Sequence, residues 1–339
     1  MEITAKGENG LFRLSGNRSM NKKCIVLLGG TGVIGSEILR LLDSPLYRGK
    51  YKVVSLVRKE LDEPVPDCVK IIKCDLANLK PEMLPCEEHC ILHFARKQAD
   101  RDGRGYYETN VNGTRNLLNN VNDNTLGIIY GSSLSVYGMW NQDFVSEKAP
   151  AHPMTDLAIS RYEAENLIRV EMKKREKSAY ILRPRFIFGR GDKTLAAIVN
   201  VVKKGIIFAA PENKYSFISV NDYAKIIVQL VDNVFSNKDK PVNKIINIGY
   251  NNFYNLKELV TCICNNYQIA YSVRYRPLPQ FFIEMLHSIP NKKLKAVIDF
   301  ISLLGWSHYC DVSELESEIG TGITGQDSLK VFSQLLKGL

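Results

Sequence analysis

The residues whose types and spacing could do chemistry begin with Gly29-Gly30-Thr31-Gly32-Val33-Ile34-Gly35, which sets glycines three apart. A turn of this kind, with a helix behind it, offers backbone N–H groups and a positive dipole end to the phosphates of a dinucleotide. Arg58 follows the apolar run Lys52–Val57. An acidic residue at that place would bind ribose hydroxyls, whereas a guanidinium suits a 2′-phosphate. NADP is therefore expected in preference to NAD; the alternative is a solvated charge at a strand end. Asp75, after the run Val69–Lys73, could accept a hydrogen bond from an adenine amino group. Ser132 and Ser133 follow the run Leu126–Tyr130, at the carboxyl end of a strand, where open α/β sheets hold their ligands. Cys86, His89, Cys90 and His93 recur at the spacing of helix-borne metal ligands. Ile91, Leu92, Phe94 and Ala95 make that stretch a buried strand instead, so core cysteines are expected and no metal.

These residues need elements to position them. Cys24–Leu28 is apolar without alternation, as in a strand buried on both faces. Ile34, Ile38, Leu39, Leu41 and Leu42 follow at helical spacing, stopped by Ser44-Pro45. In the turn between them Gly29 permits the tight bend, Gly32 lets backbone approach a pyrophosphate, and Gly35 lets helix pack on strand. Further strands are predicted over Lys52–Val57, Val69–Lys73, the stretch around Cys90–His93, Leu126–Tyr130 and Ala179–Leu182. Helices are predicted over Tyr106–Asn119 and Asp156–Lys173.

The 339 residues are 45% hydrophobic and 24% charged, which suits one large or two modest globular domains. No apolar run reaches the length of a bilayer span; the best, Leu195–Ala210, is broken by Lys203-Lys204. The first residues lack the apolar core of a signal peptide, and 1–19 are polar and unpatterned, as in a tail outside the fold. Eight cysteines without framework spacing point to a reducing cytoplasm. The net charge of +9 is spread along the chain and accompanies no nucleic-acid motif, which favours an anionic small molecule over DNA or RNA.

Several motifs occur together and in order: Gly29-x-x-Gly32-x-x-Gly35, Asp75-Leu76, His93-Phe94-Ala95, Asn110-Val111-x-Gly113-Thr114, Ser132-Ser133-x-Ser135-Val136-Tyr137-Gly138 and Arg183-Pro184-x-x-x-Phe188-Gly189. With Phe217–Ala224 and Asn247-Ile248-Gly249, the set resembles the extended short-chain dehydrogenase/reductases, the NAD(P)-dependent epimerase/dehydratase family, over about residues 22–335. The resemblance implies an α/β fold: a doubly wound parallel Rossmann sheet, mainly 20–185, and a smaller C-terminal substrate domain, mainly 186–339, with about 217–250 returning to the sheet. Cofactor contacts would come from Gly29, Thr31, Gly32, Val33, Ile34, Gly35 and Leu76, with Arg58 and Asp75. Phe94, Ala95, Arg96, Asn110, Arg161 and Pro184 would supply the rest. The helices Tyr106–Asn119 and Asp156–Lys173 resemble those of the family's dimer interface, with Ile159, Leu167 and Ile168 as apolar surface, so a homodimer is expected.

The site departs from the family pattern of a serine or threonine, then a tyrosine and a lysine one helical turn apart. There the phenol moves the proton, and the lysine lowers its pKa and holds the nicotinamide ribose. Ser133 matches. With Pro153, Ser160 and Glu165 fixing the register, Leu157 takes the tyrosine position and Arg161 the lysine position. Leucine cannot transfer a proton; Arg161 can still supply positive charge. Tyr162 lies about 100° round the helix, which leaves Tyr137 as a stand-in donor or a packing residue, and His152 behind it. Arg96 replaces a small residue near the cofactor and either crowds it or binds its pyrophosphate. Leu134-Ser135 replace the Asp-Glu pair of the family's dehydratases, which disfavours elimination of water from a hexose. Arg183, Arg185, Arg190 and Lys193 suit a substrate diphosphate, or are solvated or core-paired. Leu294, Val297, Ile298, Ile301 and Leu304 form an amphipathic stripe after Pro290, expected to pack within the substrate domain. Three readings follow: an NADP-linked reductase or epimerase of a nucleotide sugar using Ser133 and a non-standard proton donor; a cofactor-binding pseudoenzyme with a regulatory or structural role; and a sterol-type hydroxy dehydrogenase.

Overall fold

The computed structural model describes residues 22–59, 65–100, 102–103, 105–190, 192–270, 272–287, 289 and 291–339, without the side chains of 287, 292, 293, 295 and 296. The tail at 1–19, the start at Met20-Asn21 and Pro290 lie outside the described residues.

Seven parallel strands form the central sheet. In chain order they are β1 (Lys23–Leu28), β2 (Tyr51–Val57), β3 (Val69–Lys73), β4 (His89–His93), β5 (Thr125–Gly131) and the strands Ser178–Pro184 and Asn243–Ile248. Their order across the sheet is Asn243–Ile248, Ser178–Pro184, β5, β4, β1, β2, β3. Every residue of β4 and β5 is buried, which explains why these strands read as apolar runs without alternation. The strand order reverses between β1 and β4, and in such sheets ligands bind outside the carboxyl ends at that reversal. The turn after β1 and the loop after β4 both open there.

Helix α1 (Val33–Leu42) starts within the glycine turn and buries Ile34, Ile38, Leu39, Leu41 and Leu42. The segment predicted as one helix over 106–119 instead opens with a wide π-turn at Glu108–Asn112 and continues as α2 (Gly113–Asn120). In that turn Thr114 Oγ1 donates to the Asn110 carbonyl at 2.6 Å. The long helix α3 (Asp156–Lys174) is capped by Thr155, whose hydroxyl accepts from the Ala158 N–H at 3.2 Å.

The C-terminal region adds small two-stranded pairings. Phe186–Phe188 pairs with Phe217–Ser219, Ile206–Ile207 with Arg274–Tyr275, and Gln142–Val145 with His308–Cys310. The helix Val220–Ser236 packs back on α1 and β5. One face of the sheet shares a continuous apolar core with this region, running from Ile25 and Leu27 to Phe332 and Leu336. The opposite face is closed by α2 and α3 through Leu117, Leu118, Ala164 and Ile168. A helix over Lys292–Gly305 carries the predicted stripe, burying Ile298 and Leu304. Among the described residues no helix is long and apolar enough to cross a membrane.

Candidate active site

A cavity of about 1230 Å³ lies along the carboxyl ends of the strands. At one end it is walled by Gly29, Thr31, Gly32, Val33, Ile34 and Gly35. Gly29 adopts φ +96°, a left-handed conformation that glycine takes without strain, and a Cβ there would meet the Ala95 N at 2.8 Å. A Cβ on Gly35 would stand 2.2 Å from the Gly29 carbonyl oxygen, so the helix can sit on its strand only as glycine. Gly32 caps α1 without any side-chain hydrogen bond to the helix's first N–H groups. A backbone turn of this shape, with free N–H groups aimed at a cavity, fits a dinucleotide pyrophosphate.

Arg58, Asp75 and Leu76 line the same end. The Arg58 guanidinium stands 4.0 Å from the Asp75 carboxylate, and both side chains are largely exposed. Asp75 caps the short 3-10 turn Leu76–Asn78, accepting from the Ala77 N–H at 3.2 Å. Cation and carboxylate therefore meet where an adenosine ribose would lie.

The other end is built from distant segments. Ser132 and Ser133 leave β5. The Ser132 hydroxyl binds Glu165, which is held by Arg183 in a two-point ion pair with Nε–Oε1 at 3.1 Å. Ser133 faces the cavity and caps the 3-10 turn Leu134–Tyr137, its oxygen accepting from the Ser135 N–H at 3.2 Å. Leu157 and, one turn later, Arg161 project from α3 onto the wall. Arg161 donates from Nη1 to Ser135 Oγ at 3.2 Å. Burial, and then the charge of Arg96, pull its pKa down to about 9. Arg96 also lines the cavity, with Nη1 3.3 Å from the Ser132 carbonyl. Phe94, Ala95, Pro184 and Arg185 complete this part of the wall, and burial lowers the Arg185 pKa to about 10.

Other sequence candidates lie elsewhere. Tyr137 turns its hydroxyl to Asn247 Oδ1 at 3.1 Å, stacks its ring 4.6 Å from the Arg183 guanidinium, and has its pKa pushed up to about 12 by burial. It does not line the cavity. His152 is exposed and Tyr162 packs against the apolar core; neither is on the wall. Asn110 is buried, holding the Lys97 backbone through two hydrogen bonds and Ser160 through a third, so it fixes the loop after β4 from behind. Arg183 leaves the proposed basic set because it is spent on Glu165, and Arg190 and Lys193 are not on the wall. His89 and His93 are buried hydrogen-bonding residues of β4, bound to Thr125 and Thr114 at 2.9 Å each. Burial lowers the His93 pKa to about 3. Ile168, expected on the dimer face, is in the core because it points from α3 into the sheet.

Among the wall residues that sequence reasoning missed are Tyr106, Ser302 and His308. Tyr106, before the π-turn, is among the described residues the only tyrosine on the wall. Ser302 and His308 reach the cavity from the C-terminal region, where no motif marks them. Only Tyr106 carried a signal, as the residue opening the predicted helix.

The model of the NAD dependent epimerase/dehydratase family matches residues 25–249. The chain belongs to this family. A UDP-glucose 4-epimerase of Vibrio cholerae is 28% identical over 233 residues, 64% of this chain and 69% of that protein. A GDP-6-deoxy-D-talose 4-dehydrogenase of Aggregatibacter actinomycetemcomitans is 24% identical over 271 residues, 76% of this chain and 86% of that protein. The crystal structure of a UDP-glucuronic acid 4-epimerase from Bacillus cereus in complex with NAD superposes with a TM-score of 0.70 at 18% identity, covering 93% of this chain and 99% of that one. Family membership classes the chain with the NAD(P)-dependent epimerases and reductases of the extended short-chain type.

Proposed function

We propose that the protein is an NAD(P)-dependent oxidoreductase or epimerase of a nucleotide sugar in which Tyr106 supplies the phenol missing at Leu157. Relatives named for nucleotide-sugar chemistry support the substrate class. The observation that carries the reading is that Tyr106, among the described residues the only phenol on the wall, shares that wall with Ser133, Leu157 and the buried Arg161. Ser133 then orients the sugar hydroxyl. The dinucleotide is held by the glycine turn, Arg58 and Asp75, and supplies hydride acceptance and return. NADP is preferred to NAD because Arg58 can reach a 2′-phosphate.

The test is nicotinamide reduction and product chromatography with a panel of nucleotide sugars, on the wild type and on Tyr106→Phe. Turnover in the wild type and its loss in Tyr106→Phe is the expected result. Unchanged turnover in Tyr106→Phe would remove it as donor. Cofactor binding without turnover in the wild type would leave the pseudoenzyme reading, which Leu157 favours.

We further propose a cytoplasmic homodimer formed through α2 and α3. Ile159 and Val170 are exposed on α3 and eleven residues apart, hence on one stripe, and Tyr107 is exposed beside α2. Light scattering at micromolar concentration should give twice the chain mass; a monomer there refutes the dimer.

A further inference from the structure

Three guanidiniums converge on the reacting end of the cavity: Arg96, Arg161 and Arg185. The charges of Arg96 and Arg185 both lower the pKa of Arg161. Arg161 is 8% exposed. Each of the three has a buried Nε with no hydrogen-bond partner, and among the described residues none forms an ion pair with a carboxylate. Their remaining contacts are to neutral groups: the Ser132 carbonyl, Ser135 Oγ and, for Arg185, the Leu303 carbonyl at 3.0 Å from Nη2 and the Phe186 ring. The carboxylates of the wall are engaged or turned outward. Asp100 pairs with Lys97, Asp192 caps the helix Lys193–Lys204, Asp75 faces Arg58, and Asp156 and Asp299 are exposed. Near Arg185, Ser302 Oγ and both ring nitrogens of His308 are buried and make no hydrogen bond of good geometry; the two residues are 5% and 0% exposed.

Buried cations without counter-charge cost several kcal/mol each, and orphaned buried donors add to that cost. A site with one buried and two half-buried cations, and three further unpartnered polar atoms, is organised for an anion that arrives with the ligand. The glycine turn would cradle a dinucleotide pyrophosphate; Arg96 follows Ala95, which packs against Gly29, whereas Arg161 and Arg185 come from α3 and the segment after Ser178–Pro184. Arg96 and Arg161 are anchored on Ser132 and Ser135, which flank Ser133, and Arg161 stands one turn after Leu157. The anion therefore belongs at the sugar ring.

We propose that the substrate is acidic: a compact oxyanion on its sugar ring, carboxylate or phosphate, sits among Arg96, Arg161 and Arg185. Planar guanidiniums bind either group through paired, charge-assisted hydrogen bonds. Ser302 and His308 provide neutral partners at the edge of the same site. The assignment to a sugar ring rests on the nucleotide-sugar reading above; the anion site itself does not.

Thermal unfolding of the full chain tests this with glucose, glucuronate, glucose 6-phosphate and UDP at millimolar concentrations. Glucuronate, glucose 6-phosphate or both should raise Tm by about 2 °C or more, and glucose should not. Whichever acts identifies the oxyanion. Arg161→Met and Arg185→Met should abolish that rise while leaving ligand-free Tm unchanged or higher, since each removes an uncompensated buried charge. A purely structural arginine would instead lower ligand-free Tm or prevent folding, and either outcome overturns the proposal. So does a rise with glucose equal to that with its acidic counterparts, which the wild type alone can reveal. If UDP gives the rise and Arg161→Met removes it, the guanidiniums hold a diphosphate and the ring assignment is wrong. If glucuronate acts and UDP does not, the anion site stands and the nucleotide-sugar reading falls.

Discussion

The two ends of the cavity are made in different ways. The glycine end is seven consecutive residues, Gly29–Gly35, whose backbone would do the binding and whose glycines let strand, turn and helix touch. The reacting end draws Arg96, Tyr106, Ser133, Arg161, Arg185 and His308 from six separate segments, and everything it offers is a side chain. A backbone cradle recognises phosphate, which every dinucleotide carries, so its residues are restricted to those that leave the N–H groups free. A side-chain site recognises one substrate, and it can be rebuilt residue by residue while the fold stays the same. In this chain the first end keeps the family pattern and the second departs from it.

That contrast can be broken experimentally. The largest effect is expected at the reacting end, where Tyr106→Phe should lower turnover by about 10²–10⁴-fold and leave dinucleotide affinity unchanged by calorimetry. A parallel loss of dinucleotide affinity would show that the two ends are not independent. Next, Gly35→Ala places a Cβ against the Gly29 carbonyl oxygen, where only backbone movement can make room. It should cost about 1–3 kcal/mol of stability and remove dinucleotide binding, while the Tm rise given by the acidic sugar persists. Survival of dinucleotide affinity would mean that the turn is a packing feature alone. The smallest effect is at Arg58, exposed and already facing Asp75. Arg58→Ala should reduce the preference for NADPH over NADH by about 1–3 kcal/mol. Equal wild-type affinities for the two cofactors would refute the 2′-phosphate contact before any mutation is made.

How much was legible follows from the same contrast. Strands buried on both faces appear as apolar runs, and β1, β2, β3, β4 and β5 lie within a residue or two of the runs that announce them. The π-turn at Glu108–Asn112 was not legible, because Asn110 bonds to Lys97 and Ser160, partners remote in sequence. The fate of each arginine was equally hidden. Arg183 and Arg185 are two residues apart on one extended segment, yet Arg183 is neutralised by Glu165 while Arg185 meets only a carbonyl and the ring of Phe186.

By itself the sequence determined the parallel α/β sheet, the phosphate cradle, and the absence of a phenol at position 157. These depend on hydrophobic period, on glycine's freedom at consecutive positions, and on the identity of one side chain, all of which are local. Tertiary structure alone decided that Tyr137 faces Asn247, that Tyr106 faces the cavity, and that three arginines on its wall pair, among the described residues, with no carboxylate. A side chain's charge is written in the sequence, but its counter-charge is set by what the fold brings within a few ångströms. Here the fold brings Glu165 to Arg183 and, among the described residues, no carboxylate partner to Arg161.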